Sequence, residues 1–460
     1  MIMTEKIMIN NYYELLKNKA EYYPQKVFLQ VEENAYTYES VLSMVDKLAD
    51  KFLQKRENIS QGEAVLITGE GFLQQAGAFL ALQKLGVIPI IMHHGFSEKE
   101  IWEIIIKNSL QGWWCLDDDG HFEKSDLPVN IHQEKDIMGV LTSGSTGIPK
   151  ILYRTYFSWG GFFEEQNRVF HIDENSVIFI HGSLSFTGNL NILAGMLFAG
   201  GSVVTSHQLN GRKWQKLIRK YNVNCLYMVP AKLQILAESG KDEYNEMKHI
   251  ITGSQLVSEV CRNGLYKAFP NAELILYYGA SELNYITYRI LRKNSELELE
   301  NLGKPFRGIE IIIRDDVICV DTPYHVSGVE IPFTCEDTGY INENDDLIFL
   351  GRKTQWINKG GYKVSCLKLE NKIKALPDVA NAVLLSCEDK LRGQEAAAFI
   401  VLSNTDNLTR EEFEEKKHNC RQLIRQNFDT KEIPKIIKFI SEIPLNDRGK
   451  TDKESLLCII

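Results

Sequence analysis

Two hydrophobic periods alternate along this chain. Val27–Val31 and Ala35–Tyr38 alternate apolar and polar positions around Asn34, the pattern of a β-hairpin. Val41, Val45, Leu48 and Phe52 then recur at helical spacing, which predicts an amphipathic helix. The apolar run Glu63–Thr68 reads as a strand, Phe72–Leu85 as a helix ended by Gly86 at its C′ position, and Val87–Met92 as the next strand. Strand, helix and strand in that order form a βαβ unit and predict a parallel sheet. Ser97 and Glu100 have the spacing of a capping box ahead of a helix carrying Ile101, Ile104 and Ile105, and Trp113–Leu116 follows as a strand. His93 and His94 fall where a strand passes into a loop; with no third ligand in view, both are expected to be solvated.

From Ile151 the alternation becomes regular. Strands are predicted over Ile151–Tyr153, Val177–Ile180, Ser202–Thr205, Cys225–Val229, Ile250–Thr252 and Glu273–Tyr277. Helices fall between them, over Trp159–Val169, Leu190–Phe198, Lys213–Lys220, Ala231–Ala237 and Ser258–Ala268. This is an α/β pattern and predicts doubly wound sheets, in which ligands sit where strands end and loops begin. The loops at Gly253–Gln255 and Tyr278–Glu282 lie at such ends. Ile309–Val320 and Glu330–Leu350 change character to short strands with Gly and Asp turns, a small β subdomain. The remainder reads as a separate α+β domain, with helices over Val364–Leu376 and Arg410–Phe428 and strands over Ala382–Ser386, Ala396–Val401 and Ile436–Phe439.

Composition narrows the class. At 460 residues the chain is long enough for two or more compact units, and its 44% apolar and 25% charged residues are those of a folded globular protein. A net charge of -9 argues against binding nucleic acid or anionic lipid through a broad basic face. No apolar run is long enough to span a bilayer and the first residues lack a signal-peptide pattern, so a cytoplasmic location without membrane attachment is expected. Nine cysteines with no C-x-x-C pair suggest neither a disulfide framework nor a zinc site.

The candidate chemistry centres on Leu141–Lys150, where Thr142, Ser143, Gly144, Ser145, Thr146, Gly147 and Lys150 lie between two apolar runs. Glycines let backbone N–H groups approach an anion, hydroxyls add donors and the lysine adds a positive charge, as a phosphate site needs. Two residues separate Gly144 from Gly147, so this is not a Walker loop and the usual mononucleotide fold does not follow. At Tyr277–Glu282, an aromatic face suits a purine and a hard carboxylate beside phosphates suits magnesium. The same residues also fit a plain strand-to-helix turn with Glu282 in the first helical turn. Read alone, Asp337 and Arg352 fit an acidic turn and a simple ion pair.

The string Leu-Thr-Ser-Gly-Ser-Thr-Gly-Ile-Pro-Lys (141–150) resembles the phosphate loop of the adenylate-forming superfamily of acyl- and aryl-CoA synthetases, peptide-synthetase adenylation domains and luciferases. Four further stretches agree, in the family's order: Tyr277–Glu282, Glu336–Tyr340 with Phe349–Arg352, Asn358–Ser365, and Pro444–Lys450. The resemblance implies an AMP-binding domain over 1–353 and a small mobile lid over 354–460. It implies ATP and Mg2+ as cofactors, with Thr142, Lys150, Glu282 and Lys450 catalytic and Glu282 holding the metal. Nucleotide contacts would come from Ser143–Gly147, Gly253, Ser254, Tyr277, Tyr278, Gly279, Ser281, Asp337 and Arg352, the last two gripping the ribose. Thr354 stands at the hinge position, where aspartate or lysine is commoner, and Asn446 replaces a commoner threonine. Gly360 and Gly361 would line a tunnel for a pantetheine thiol, since a side chain there would block it.

The resemblance also implies an acid pocket lined by Phe186, Thr187, Gly188, Asn191, Ile250, Thr252, Tyr277 and Tyr285. Amino-acid-activating members carry aspartate where this chain has Thr187, and a threonine leaves a buried ammonium unpaired. An aryl or medium-length acid without an α-amine is therefore expected as partner, and the chain is similar to short acyl- or aryl-acid CoA ligases of the succinylbenzoate type. The acceptor would be CoA or the phosphopantetheine of a free-standing acyl carrier protein.

Overall fold

The computed structural model describes residues 9–460, apart from 56–58, 94, 117–120, 127–134, 143–148, 241, 254–256, 258, 296–297, 299, 353–355, 360–361, 390–392, 406–407 and 445–450. The chain divides into two compact units, one over 1–298, 302–310 and 321–333, the other over 299–301, 311–320 and 334–460.

The first unit opens with helix α1 (Tyr12–Tyr22), the hairpin β1 (Val27–Val31) and β2 (Asn34–Thr37), and α2 (Tyr38–Lys55). A six-stranded sheet follows from β3 (Ala64–Thr68), α3 (Phe72–Lys84), β4 (Ile88–Ile91), α4 (Glu98–Asn108), β5 (Gly112–Cys115), β6 (His121–Lys124), β7 (Asp136–Thr142) and β8 (Lys150–Thr155), in the order β6-β5-β3-β4-β7-β8. Every residue of β3 is buried, as expected of a strand covered on both faces. Gly86 takes the C′ position after α3 with φ +69°, and Ser97 and Glu100 form the expected capping box of α4.

The second sheet has nine strands. It is built from α5 (Tyr156–Gly160), α6 (Phe163–Phe170), β9 (Val177–Ile180), α7 (Thr187–Ala199), β10 (Ser202–Thr205), α8 (Gly211–Lys220), β11 (Cys225–Tyr227), α9 (Pro230–Ser239), β12 (His249–Gly253), α10 (Glu259–Ala268), β13 (Glu273–Ala280), β14 (Asn284–Leu291) and β15 (Lys304–Pro305). The order is β15-β14-β13-β12-β11-β9-β10-β1-β2, with β9 to β13 and β1 parallel and β14 antiparallel to β13. From β9 the chain first adds β10 on one side, then β11, β12 and β13 on the other. The order therefore reverses at β9 and β11, and a crevice opens there outside the carboxyl ends of the strands. One face of this sheet packs Leu226, Ile250 and Leu274 against Trp214, Leu217, Leu233 and Leu265 of α8, α9 and α10.

Four expectations need correction. The helix expected over Trp159–Val169 is two helices, α5 and α6, parted at Gly161–Phe162 just after Gly160, glycine being a poor helix former. The strand expected to reach Val229 stops at Tyr227, because Val229 is the N-cap of α9 and Pro230 its first residue, unable to donate to a sheet. Tyr278–Glu282 is not a strand-to-helix turn: β13 runs through Ala280 and returns as β14, so the motif is the end of a β-hairpin. Helix α1, which the periodicity of Tyr12, Leu15, Leu16 and Ala20 supports, went unassigned because its mean polarity is high.

The second unit holds most of a four-stranded sheet, β16 (Glu310–Arg314), β17 (Val317–Asp321), β18 (Phe333–Ile341) and β19 (Leu347–Arg352). It continues with β20 (Trp356–Lys359), β21 (Tyr362–Ser365), α11 (Cys366–Lys374), β22 (Val379–Asp389), β23 (Gly393–Leu402), α12 (Arg410–Asn427), β24 (Ile436–Phe439) and α13 (Lys453–Leu457). The first two residues of the expected helix Val364–Leu376 belong to β21; Ser365 then caps α11 by accepting from Lys368 N. By packing, this unit takes in the small β-sheet that the expected division at 353/354 assigns to the first domain.

Candidate active site

Several of the expected site residues of the first unit lie at strand ends. Thr142 ends β7 and Lys150 begins β8, paired in antiparallel register, with Thr142 Oγ1 donating to the Lys150 carbonyl at 3.4 Å. The expected phosphate loop thus joins two antiparallel strands; Ser143, Gly144, Ser145, Thr146 and Gly147 themselves lie outside the described residues, as does Ser254.

Gly253 ends β12 opposite Tyr277 of β13. A Cβ on Gly253 would lie 2.6 Å from the Tyr277 ring, so the ring packs directly on bare backbone. Gly279 pairs with Tyr285 next to a bulge after Tyr278, and a Cβ there would meet the Asn284 carbonyl at 2.5 Å. Asn284 closes the turn with φ +115° and donates from Nδ2 to the Ser158 carbonyl at 3.3 Å. Glu282 accepts through its backbone carbonyl from Val326 N at 2.8 Å. The turn is therefore tied at both ends, which fixes where the Ser281 and Glu282 side chains start.

Sequence reasoning missed the residue that braces this turn. Arg154, on β8, is 1% exposed and donates to the Ser281 carbonyl and, at 3.3 Å, to Ser158 Oγ. Burial pulls its guanidinium down to about 10, while Tyr12 and Glu282 act in the opposite direction. A basic residue following the apolar run Ile151–Tyr153 inside the strand was the available signal.

The N-terminus of α7 forms another wall. Phe186 is its N-cap and is half-exposed, with its ring edge-on to His93 at 4.4 Å. His93 Nδ1 is 2.7 Å from Ser185 Oγ, so His93 is not the solvated loop residue expected; it is held against Phe186. His94 lies outside the described residues. Gln75 of α3, nearly buried, accepts from Leu184 N at 2.9 Å and from Ser183 Oγ at 3.0 Å, pinning this stretch to the six-stranded sheet. Lys232 donates to the His181 carbonyl at 2.8 Å and lies over the Phe186 ring at 5.8 Å, its ammonium lowered by burial.

Gly188, Asn191 and Gly195 fall on one stripe of α7. Gly188 faces Tyr227, and Gly195 faces Gln166 of α6. Tyr227, which the motifs did not indicate, hydrogen-bonds Tyr277 hydroxyl to hydroxyl at 2.7 Å, and Tyr285 packs edge-on to Tyr277 at 4.6 Å. Burial raises the hydroxyls of Tyr227 and Tyr285 well above the usual tyrosine range, so both stay neutral. Two of the expected lining residues do not join them: strand alternation puts Ile250 and Thr252 on the α9/α10 face with Leu226 and Leu276, opposite to Tyr227, Gly253 and Tyr277.

In the second unit, Asp337 and Arg352 pair across β18 and β19, with Arg352 Nε 3.3 Å from the nearly buried Asp337 carboxylate. Thr338 Oγ1 donates to the Gly351 carbonyl at 2.6 Å and accepts from Trp356 Nε1 at 3.1 Å. The expected hairpin is present as β20 and β21, in register from Trp356↔Ser365 to Lys359↔Tyr362. Its turn residues Gly360 and Gly361, together with Thr354 and Lys450, lie outside the described residues.

The profile of the AMP-binding enzyme family matches residues 103–329, and that of the AMP-binding enzyme C-terminal domain matches 368–450. A Bacillus subtilis protein named an uncharacterized acyl--CoA ligase, YhfT, is 26% identical over 94% of both chains, and the putative long chain fatty acid-CoA ligase VraA of Staphylococcus epidermidis is 23% identical over 96% of this chain and 97% of its own. Among solved structures, ATP-bound MatB from Rhodopseudomonas palustris superposes with a TM-score of 0.82 at 17% identity, covering 97% and 98% of the two chains. The o-succinylbenzoate CoA synthetase MenE of Bacillus subtilis, with its acyl-adenylate, gives 0.80 at 18%, covering 96% and 97%. With both domain profiles matched in order and relatives along nearly the whole chain, the chain belongs to the AMP-binding enzymes, the adenylate-forming superfamily.

Proposed function

We propose that this enzyme is an AMP-forming acid–thiol ligase: it activates a carboxylic acid lacking an α-amine as the acyl-adenylate and passes the acyl group to a pantetheine thiol. The observation that carries the reading is the meeting of the tied Tyr277–Asn284 hairpin end and the N-terminus of α7 at the topological switch point of the nine-stranded sheet. One wall can hold nucleotide, the other acid. In the first step a carboxylate oxygen attacks the α-phosphorus and pyrophosphate leaves; in the second the thiol sulfur attacks the acyl carbonyl and AMP leaves.

The residues take roles that follow from their chemistry. The 142–150 loop and Lys150 hold the phosphates, Gly253 and Ser254 with the backbone and rings of Tyr277–Gly279 hold the base, and Asp337 with Arg352 holds the ribose. Glu282 offers a hard carboxylate whose position Arg154 and Val326 fix, which fits Mg2+; bound there, the ion would offset phosphate charge. Lys450 stabilises the charge that develops between carboxylate and α-phosphate. Phe186 and Thr187 sit at the mouth of the acid pocket, and the absence of a carboxylate at 187 excludes an α-ammonium. Gly360 and Gly361 admit the thiol, with Thr354 at the pivot between 1–353 and 354–460. CoA is the acceptor favoured over a carrier protein, supported by the relatives named as CoA ligases.

Exchange of labelled pyrophosphate into ATP, screened over an acid library with magnesium, tests the first step. Lys450→Ala is expected to lower exchange by about a hundredfold or more, the effect of removing one charge-stabilising group. Exchange at the wild-type rate would remove Lys450 from the reaction.

A further inference from the structure

Resting on the ligase reading, the crevice carries a limit on the length of the acid. A Cβ on Gly188 would lie 1.9 Å from the Tyr227 hydroxyl oxygen, so that oxygen touches the bare backbone of α7. Nothing the width of an acyl chain passes between α7 and β11 at this level. Tyr227 is 4% exposed and its ring lies parallel to Tyr277, with 6.1 Å between centroids and 8° between planes. The hydroxyl bond to Tyr277 ties the two rings at their far ends. Tyr277 in turn packs on Gly253 and edge-on to Tyr285, and Tyr285 packs on Phe170 at 5.1 Å. Gln166, one turn before Phe170 on α6, is fully buried beside Gly195. The rings thus brace one another from α7 across to α6.

We infer that Tyr227 is the floor of the acid pocket and that the enzyme selects short-chain carboxylic acids, rejecting medium-chain, long-chain and aryl acids. Small residues at 188 and 253 make space in a pocket only if nothing else fills it; here two tyrosines occupy the space those glycines leave. A tail reaching the floor must displace a buried ring held by a hydrogen bond and a stacked ring contact with Tyr277, and packed interiors do not yield such volume without cost. Selectivity of one to two orders of magnitude for a few methylenes is within what a closed pocket delivers.

The test is pyrophosphate exchange with acetate, butyrate, hexanoate, octanoate, dodecanoate and benzoate. For wild type, kcat/KM should peak at butyrate or below and be about a hundredfold lower for octanoate. Tyr227→Ala should move the peak to hexanoate or beyond, whereas Tyr227→Phe, which keeps the ring but removes the oxygen that meets Gly188 and its bond to Tyr277, should give a cut-off between those of wild type and Tyr227→Ala. Octanoate, dodecanoate or benzoate turned over by wild type as well as butyrate would overturn the inference, as would a Tyr227→Ala profile identical to wild type. The wild-type profile decides by itself if Tyr227→Ala does not fold. Should no acid support exchange, it is the ligase reading that fails. Saturation-transfer NMR with the same acids then still reads the pocket: contact with butyrate and none with octanoate supports the floor, and contact with octanoate removes it.

Discussion

At the scale of single residues, the motifs were legible because each needs a particular side chain: glycine where backbone must approach a ring, as at Gly253, or a carboxylate where a cation is proposed to sit, as at Glu282. Arg154 and Tyr227 were not, because their work depends on which strand lies next to which. Arg154 positions the turn that carries Glu282 from a strand more than a hundred residues away. Arg154→Met should therefore raise the magnesium concentration needed for half-maximal exchange and lower kcat/KM by about a hundredfold, the usual cost of displacing a site by an ångström, while Arg154→Lys recovers part of it. A magnesium titration reads this, and an unchanged midpoint in Arg154→Met would reduce the residue to packing. His181 illustrates a pH effect. Its imidazole is pulled down to about 4, first by burial and then by Lys232. The unfolded chain binds this proton below about pH 6.5 and the folded chain only near 4, so stability should fall as pH drops through that window, by at most about 3 kcal/mol from this group. Thermal melts of wild type and His181→Gln between pH 7 and 4.5 check it; parallel curves would contradict it.

At the scale of elements, periodicity located most strands and helices of the two large sheets, since buried strands are continuous apolar runs and their helices have one apolar face, but it left β6 and β7 unassigned. It failed where polarity or glycine broke the signal, at α1, at the α5/α6 break and at β14, whose polar and aromatic residues mask its antiparallel pairing. The β20–β21 hairpin was legible only through resemblance. Its anchorage is visible in the structure: Lys359, 7% exposed, pairs with the buried Glu395 at 2.6 Å and donates to the Ile433 carbonyl at 2.8 Å, fastening β20 to β23 and to the turn that precedes β24. Lys359→Ala leaves Glu395 buried without its cation and should destabilise the second unit by about 3–5 kcal/mol, whereas Lys359→Met with Glu395→Leu should restore most of it. Denaturant titration of the three variants tests this; a single variant as stable as wild type would show that the pair anchors nothing.

At the scale of the whole molecule, the α/β class and the presence of a second compact unit followed from the order of elements, because alternating strands and helices leave few topologies open. What the order could not supply was the switch point, which depends on β11 pairing with β9 rather than β10. That pairing brings Tyr227 against Gly188, the contact behind the proposed short pocket, where the sequence led to the expectation of an aryl or medium-length acid. The central claim is the two-step chemistry itself. Incubation of the enzyme with ATP, magnesium, butyrate and CoA, followed by mass spectrometry of every product, should give AMP, pyrophosphate and butyryl-CoA in equal amounts, with butyryl-adenylate accumulating when CoA is left out. ADP and phosphate as the nucleotide products, or a thioester formed without AMP, would contradict it.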